Sequence, residues 1–568
     1  MLFRSTRNEL RGGGARLTPA PLQPFFLIIF LFIIVGRAPR LALALAALAL
    51  TVYAASFQTA RAQTKTSKGP EPFTYEELVQ LYEQEPLPDA LRQKLERLRT
   101  TPVVSNAASV RGTRPLKPDV PKLGRILRVA AWNIERGLNF NAVRAALLGP
   151  EALARMLDKS KYPPGSEARA DILRQASLLK QSDVIVLNEV DWGVKRTDYR
   201  DVAGELAAAL AMNYAWGVEF VEVDPLATGT ETFEGVDTAE RLALVKNIAV
   251  DKSRARNLHG TAILSRYPLT NVRLVPFEHQ GYDWYAGELK KVSKLEAGKR
   301  KGSALVFGEK ITREVRRGGR MMLLADIEDS GLPGGRVTVV ATHLEDKAKP
   351  EGRVEQLEEL LSYIKDIPHP VVVAGDMNTS GSDATPVSFD RAVKQRMGSG
   401  AFWVNRGIRY ATGVGLLYDV TLGAVKRQRT KNDPTVKSVK FVSENPEEQF
   451  FTTLKGFRFA DGGAFDFRGA ENFSVGGRQD TLSDSNERDS KGFVPTFALE
   501  GKVSVEFKLD WIFVKPARLT DPDDRAQGYM FAPRFGRTLK ALNQSVKDRI
   551  SDHNPIVSDL PFAEPRAR

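Results

Sequence analysis

From Arg125 onward, short apolar runs recur along the chain, and most of them stop at polar residues of a few types. Ile126 to Trp132 meets Asn133, Val184-Ile185-Val186-Leu187 meets Asn188-Glu189, and Val337 to Thr342 meets His343. Val371-Val372-Val373-Ala374 meets Gly375-Asp376-Met377-Asn378. Runs this short, bounded by turn formers, predict buried strands. Val505, Phe507, Leu509, Trp511 and Phe513 alternate as one face of a single strand, with Asp510 on the other. Ile550-Ser551-Asp552-His553-Asn554-Pro555 leads into the last apolar run. Helical spacing appears between these runs, at Glu205 to Met212 and at Glu351 to Ile364, where Leu357, Leu360, Leu361 and Ile364 share a face. Strands and amphipathic helices in this mixture predict an α/β sandwich: two packed sheets with helices outside.

The N-terminus has a different texture. Phe25 to Val35 is an apolar run of eleven residues, and Leu41 to Ala55 a mostly apolar run of fifteen, with Arg37 and Arg40 between them. Each is shorter than the roughly 20 residues a helix needs to span a bilayer. Ala60-Arg61-Ala62 has the small-x-small pattern of a signal-peptidase site. Residues 1–62 therefore read as a leader cut after Ala62, placing the mature chain outside the cytoplasm, periplasmic or extracellular; one uncleaved membrane anchor built from both runs is the alternative. In residues 63–124, Thr74-Tyr75-Glu76-Glu77 is a capping box opening a short helix, and a second helix runs through Leu91 to Leu98. The Pro-, Ser- and Thr-rich stretch from Thr100 to Lys122 reads as a linker.

Composition narrows the chemistry. With 568 residues, 42% hydrophobic and 27% charged, the chain has apolar material for a large core. The absence of cysteine excludes disulfides, thiolate zinc sites, iron–sulfur clusters and a cysteine nucleophile. Of the net charge of +13, the leader carries +6, from seven arginines and one glutamate. Residues 287–320 hold eleven Lys or Arg against four Asp or Glu, as large an excess as the whole remainder. That run is either a solvated loop or a steering patch for a polyanion or an anionic membrane surface.

Asp376 and Asn378, two apart on an extended segment, project to one side and suit a metal or a phosphate. Asp552-His553 beside a proline turn is an acid/base candidate or a capping pair. If the sheets bring all these strand ends to one edge, hard oxygen ligands surround an imidazole, a set that fits Mg²⁺ or Mn²⁺.

Trp132-Asn133-Ile134, Leu187-Asn188-Glu189-Val190, His259-Gly260-Thr261-Ala262-Ile263-Leu264-Ser265-Arg266, Thr342-His343-Leu344, Gly375-Asp376-Met377-Asn378, Leu509-Asp510-Trp511-Ile512-Phe513 and Ser551-Asp552-His553-Asn554-Pro555 occur in this order. In that succession the chain resembles the endonuclease/exonuclease/phosphatase superfamily, over residues 125–562. The resemblance implies a four-layered α/β/β/α sandwich of two mainly antiparallel sheets, and a divalent metal (Mg²⁺ or Mn²⁺) assisting attack of water on phosphorus. Position by position it implies Glu189 as the main metal ligand, with Asn133 and Asp552 in or near the same shell. It implies His553 as general base or phosphate ligand, Asp510 orienting its imidazole, Asp376 and Asn378 positioning the nucleophile and the phosphate, and His343 donating to a phosphate oxygen.

Two insertions depart from a minimal member of that superfamily, near 284–320 and 380–500. The second reads as extra strands or a cap over the site. The expectation is an exported metal-dependent phosphohydrolase or phosphodiesterase whose substrate is a phosphoester, with nuclease as the plainest guess. A phospholipid or inositol-phosphate head group is the alternative substrate. A binding module of the same fold that has lost catalysis is the competing class, and the retained acids and histidines argue against it.

Overall fold

The computed structural model divides into Met1–Thr64 and Lys65–Arg568. It describes residues 69–289, 314–379, 447–469, 484–489, 492–499, 505–522, 527–547 and 549–563, with isolated positions such as Arg300 and Leu482 between them. The predicted leader, most of the basic insertion and residues 380–446 lie outside the described residues.

Two sheets form the centre. The larger runs in the order β1 (Val103–Ser105), β5 (Asn213–Glu222), β6 (Leu258–Ser265), β4 (Val184–Trp192), β3 (Gly124–Asn133), β18 (Ile556–Pro561), β17 (Arg534–Thr538). On it, β2 (Asp119–Val120) pairs with β3, and β8 (Arg316–Gly318) with β5. The smaller runs in the order β16 (Asp510–Lys515), β11 (Val371–Asp376), β10 (Arg336–His343), β9 (Met321–Glu328), β7 (Thr270–Pro276). All pairings are antiparallel except β3 with β4 and β10 with β11.

Period-two alternation sorts the apolar residues into layers. Leu127, Val129 and Ala131 of β3 face inward against Val339 and Ala341 of β10 and Val372 and Ala374 of β11. Their neighbours Ala130 and Trp132 face outward, onto a layer with Val143, Leu147, Ile172, Leu179 and Leu206. Those belong to the helices Phe140–Leu148, Glu167–Lys180 and Val202–Leu210. On the far side, Val340, Val373, Trp511 and Phe513 pack under Leu357, Leu360, Leu361 and Ile364 of the helix Pro350–Ile364 and Phe450, Phe451 and Leu454 of the helix Glu448–Gly456. Burying each such side chain contributes roughly 1.5–3 kcal/mol. The result is the expected α/β/β/α sandwich.

Three local expectations change. The Val505–Phe513 face is two strands: β15 (Val505–Phe507) pairs with β14 (Phe497–Leu499), and only β16 joins the smaller central sheet, beside β11. The break is held by Thr496, whose hydroxyl accepts from the amides of both Leu509 and Asp510. The Thr100–Lys122 stretch is woven into the domain, through the β1–β5 pairing, an Asn106 amide bonded to the Leu269 carbonyl, and Asp183 accepting from the Leu116 and Lys117 amides. Ahead of it the predicted capping box is present, Thr74 and Glu77 exchanging hydrogen bonds at the start of the helix Tyr75–Glu83.

The third change concerns the basic run. Its described cations are paired with acids, most of them distant in sequence. Arg300 binds Asp224 and Glu231, Arg316 binds Glu222 and Glu314, and Arg317 binds Glu85 and the carbonyls of Leu81 and Gln84. Lys301 pairs with Glu240. Arg300 and Arg316 are buried. Among the described residues, this charge is part of the interior and the N-terminal packing, and no steering patch is built from it. A short hairpin, β12 (Arg488–Asp489) with β13 (Gly492–Phe493), lies within the second insertion.

Candidate active site

Strand register brings the chemistry to one edge. In the smaller sheet His343 pairs with Asp376, and Asp376 with Asp510, so three strands end in one row of functional side chains. In the larger sheet Asn133 pairs with Asn188 in the same way. Glu189 follows at a bulge between Leu187 and Val190, with φ at 52°. A non-glycine residue there costs of order 1–3 kcal/mol, and bulges of this kind re-aim a side chain beside a site. Gly375 (φ +143°) explains another spacing: a Cβ would lie 2.0 Å from the Thr342 carbonyl oxygen and 2.9 Å from Asn188 Oδ1. A side chain at that position would push apart the two sheet ends that form the site.

Asn133 bridges the sheets. Its Nδ2 donates to Glu189 Oε1 at 3.2 Å and to Asp376 Oδ2 at 3.1 Å. The loop carrying Asp552 and His553 is pinned to the same strand, Ser551 Oγ donating to the Asn133 carbonyl at 2.7 Å and Trp132 Nε1 to the His553 carbonyl at 2.9 Å. His553 Nδ1 lies 2.7 Å from Asp510 Oδ2, and its Nε2 lies 3.6 Å from Asp376 Oδ2. His343 Nε2 approaches the same Asp376 oxygen at 3.5 Å. Asn378 stands at the border: its backbone donates to Asp376 Oδ1, and its side-chain amide donates to the Leu344 carbonyl, fastening the loop after β10.

Burial sets the protonation states. It would lower the His553 pKa, but Asp510 and Asp376 outweigh it and hold the imidazolium well above the ordinary histidine value. Burial pushes the Asp376 carboxyl up to about 7, helped by Asp510 and opposed by His553. His343 goes the other way, held neutral by burial and by Arg320.

One acid was not legible beforehand. Glu135, in the turn after Asn133, accepts from the Asp552 amide at 3.1 Å. Burial together with the Asp552 charge lifts its pKa to about 7. Asp552 is raised as well, by burial first and with Glu189 contributing. Glu189 is itself lowered, burial being outweighed by Arg136 and the two histidines His259 and His553. Three carboxylates that repel one another, beside an amide oxygen, are the donor set of a hard divalent cation. Asp376, Asp510 and His553 also have ligand atoms within 4.8 Å of one another, although the His553 Nδ1 is engaged by Asp510. Glu135, Glu189 and Asp552 offer oxygen donors alone, as a hard cation prefers, with Arg136 3.8 Å from Glu189 and Arg549 offsetting part of their charge. His259, quoted within a motif, is buried behind the site with Nδ1 2.9 Å from Asp191 Oδ1.

The profile of the Endonuclease/Exonuclease/phosphatase family matches residues 130–553, most of the chain. The chain belongs to that family. It is accordingly a hydrolase of phosphoester bonds, in a family that is generally dependent on divalent metal. No curated protein matches the sequence at a significant level. Among solved structures, it is similar to an endonuclease/exonuclease/phosphatase from Beutenbergia cavernae, at 18% identity over 78% of this chain and 73% of that one, with a TM-score of 0.29. A 3'-5' exonuclease (NExo) from Neisseria meningitidis is similar at 12% identity, 76% and 99% coverage and a TM-score of 0.33. The human Nocturnin catalytic domain is similar at 14%, 78% and 98%, with a TM-score of 0.31. Scores this low say nothing about substrate.

Proposed function

We propose that this family member is an exported phosphodiesterase, dependent on Mg²⁺ or Mn²⁺, with nucleic acid as its first candidate substrate. The observation that supports it is the cluster of Asp376, Asp510 and His553 at the strand ends, with the neutral His343 against Asp376 and Glu189 tied to Asp376 through Asn133. Glu189, Asp552 and Glu135, with the Asn133 amide oxygen beside them, are the residues that would hold the metal, which when bound neutralises phosphate charge and acidifies water. His553 Nε2, 3.6 Å from Asp376 Oδ2, takes the proton of the attacking water when its imidazole is neutral, with Asp376 orienting that water. His343 Nε2–H, aimed at the same place, donates to a phosphate oxygen as charge builds there. Asn133 holds Glu189 and Asp376 at a fixed separation throughout.

A small head-group phosphoester, of a phospholipid or inositol phosphate, is the second reading. The pairing of Arg300, Arg316 and Arg317 favours it, because those cations are not offered to a polymer. Export rests on the Ala60-Arg61-Ala62 pattern after the apolar run. No helix among the described residues is long and apolar enough to cross a membrane.

The test is a substrate panel with purified protein: plasmid, single-stranded DNA, RNA, sphingomyelin, inositol phosphates and bis-p-nitrophenyl phosphate, each with Mg²⁺ or Mn²⁺. Hydrolysis abolished by EDTA and restored by either metal is the expected result. Turnover confined to head groups would replace the nuclease reading, and no turnover of any phosphoester would overturn the proposal.

A further inference from the structure

His343 and His553 face the same Asp376 oxygen, yet their rings are held from behind by opposite partners. His553 Nδ1 meets a carboxylate, Asp510. His343 Nδ1 meets a guanidinium, with Arg320 Nη1 at 2.8 Å. An acid does lie near, Glu219 Oε2 at 3.8 Å from His343 Nδ1, too far for a hydrogen bond. Arg320 is interposed, its Nη1 donating to Glu219 at 2.7 Å as well as to the imidazole. An arginine has only protons to give. His343 Nδ1 is therefore an acceptor, and the ring proton sits on Nε2.

Arg320 is itself held from every side. Its Nε donates to Glu345 Oε2 at 3.3 Å and its Nη2 to Asp346 Oδ1 at 3.4 Å, and the side chain is buried. Glu219 is fixed by Thr261 Oγ1 at 2.5 Å, Thr261 by Asn188 Nδ2 at 3.0 Å, and Asn188 Oδ1 accepts from the Asp376 amide at 2.9 Å. The chain of contacts leaves Asp376 through Asn188, Thr261, Glu219 and Arg320, and returns to it through His343. Asp376 N–H, Asn188 Nδ2 and Thr261 Oγ1 each donate to the next member as far as Glu219, which accepts again from Arg320, and Arg320 donates on to His343 Nδ1.

We propose that Arg320 is the positioning residue of His343, locking its imidazole in the Nε2–H tautomer as a fixed hydrogen-bond donor to the substrate phosphate. His343 does not carry protons in the reaction; His553, with an anion at its Nδ1, is free to do so. The assignment rests on the proposed phosphodiester chemistry for its purpose, but the tautomer is a property of the protein alone.

The experiment is long-range ¹H–¹⁵N NMR of the full chain labelled with ¹⁵N-histidine, its five histidines assigned by single replacements. The expected spectrum shows His343 with a bare Nδ1 and a protonated Nε2, and His553 with a protonated Nδ1. A protonated His343 Nδ1 overturns the proposal. In parallel, Arg320→Met should lower kcat on bis-p-nitrophenyl phosphate by roughly 10²-fold, the cost of losing one oriented donor, with KM nearly unchanged. Arg320→Lys, which keeps a cationic donor, should recover part of that loss. A folded Arg320→Met with wild-type kcat also overturns it. If Arg320→Met does not fold, the wild-type spectrum still decides. Absence of all phosphoesterase activity in the wild type would count against the proposed function and leave the tautomer to be read independently.

Discussion

Asp376 and Asp510 stand opposite each other in register across the β11–β16 ladder, two buried carboxylates at the end of one sheet. Their mutual repulsion is met by His553, which touches Asp510 through Nδ1 and approaches Asp376 through Nε2. Both acids stabilise the imidazolium, and Asp510 also raises Asp376. The base is active only once the imidazole is neutral, so activity should rise with pH through the titration of the His553–Asp376 pair. Replacing Asp510 with Asn removes an anion that favours the protonated form of both groups. The acid limb of kcat/KM should move to lower pH while kcat falls, because the imidazole loses its orienting partner. A pH–rate profile of Asp510→Asn checks this, and an acid limb unmoved from wild type would refute the coupling.

His553→Ala should lower kcat by roughly 10² to 10⁴. Added metal should not restore it, since the missing group moves a proton. Near-normal turnover of bis-p-nitrophenyl phosphate by this variant would remove His553 from the role assigned to it.

Metal ligands should behave differently. Glu189→Gln and Glu135→Gln keep size and remove charge from the carboxylate group, so the metal concentration for half-activation should rise, on the order of 10- to 100-fold. Excess Mn²⁺ should recover part of the rate. Titration of activity with Mn²⁺ reads the effect, and a kcat deficit with an unchanged metal requirement would place these acids elsewhere in the mechanism.

Much of this site could be read from the strand ends, because a buried run that stops at Asn, Glu, His or Asp marks where a sheet edge meets solvent. Residues placed by tertiary structure were not visible. Glu135 sits in a turn and looks like any solvated acid. Glu219 alternates within β5 as a polar strand position does, yet β5 is covered on both faces and the carboxylate is buried. Arg320 appeared only as one more cation in a basic run, since its partners Glu219, Glu345 and Asp346 come from other segments of the chain. Counting charges along a sequence finds the cations and misses the acids that neutralise them.

The proposed leader is open to a direct measurement. The mature chain should begin at or close to Gln63, since Ala60 and Ala62 offer the small side chains signal peptidase accepts. N-terminal sequencing of exported protein checks it; an intact Met1 on a membrane-embedded product would establish the anchor instead.

The paired cations give the sharpest contrast between composition and structure. Arg316 Nε lies 3.1 Å from Glu222 Oε2, and Arg196 Nη2 lies 2.9 Å from the other Glu222 oxygen, all three side chains almost fully buried. Removing one member of such a group strands a charge in the interior and costs about 3–5 kcal/mol. Arg316→Gln should therefore lower the urea midpoint sharply, without flattening the salt dependence of KM on long DNA. A steering residue would do the reverse, leaving stability intact and flattening the salt slope. Replacing Glu222 and Arg316 together should cost less than the sum of the two single changes, because each single variant already gives up the contact between them. Urea unfolding of the two singles and the double, beside KM measured at several salt concentrations, separates the two roles. An unchanged midpoint with a flattened slope would return this arginine to the substrate.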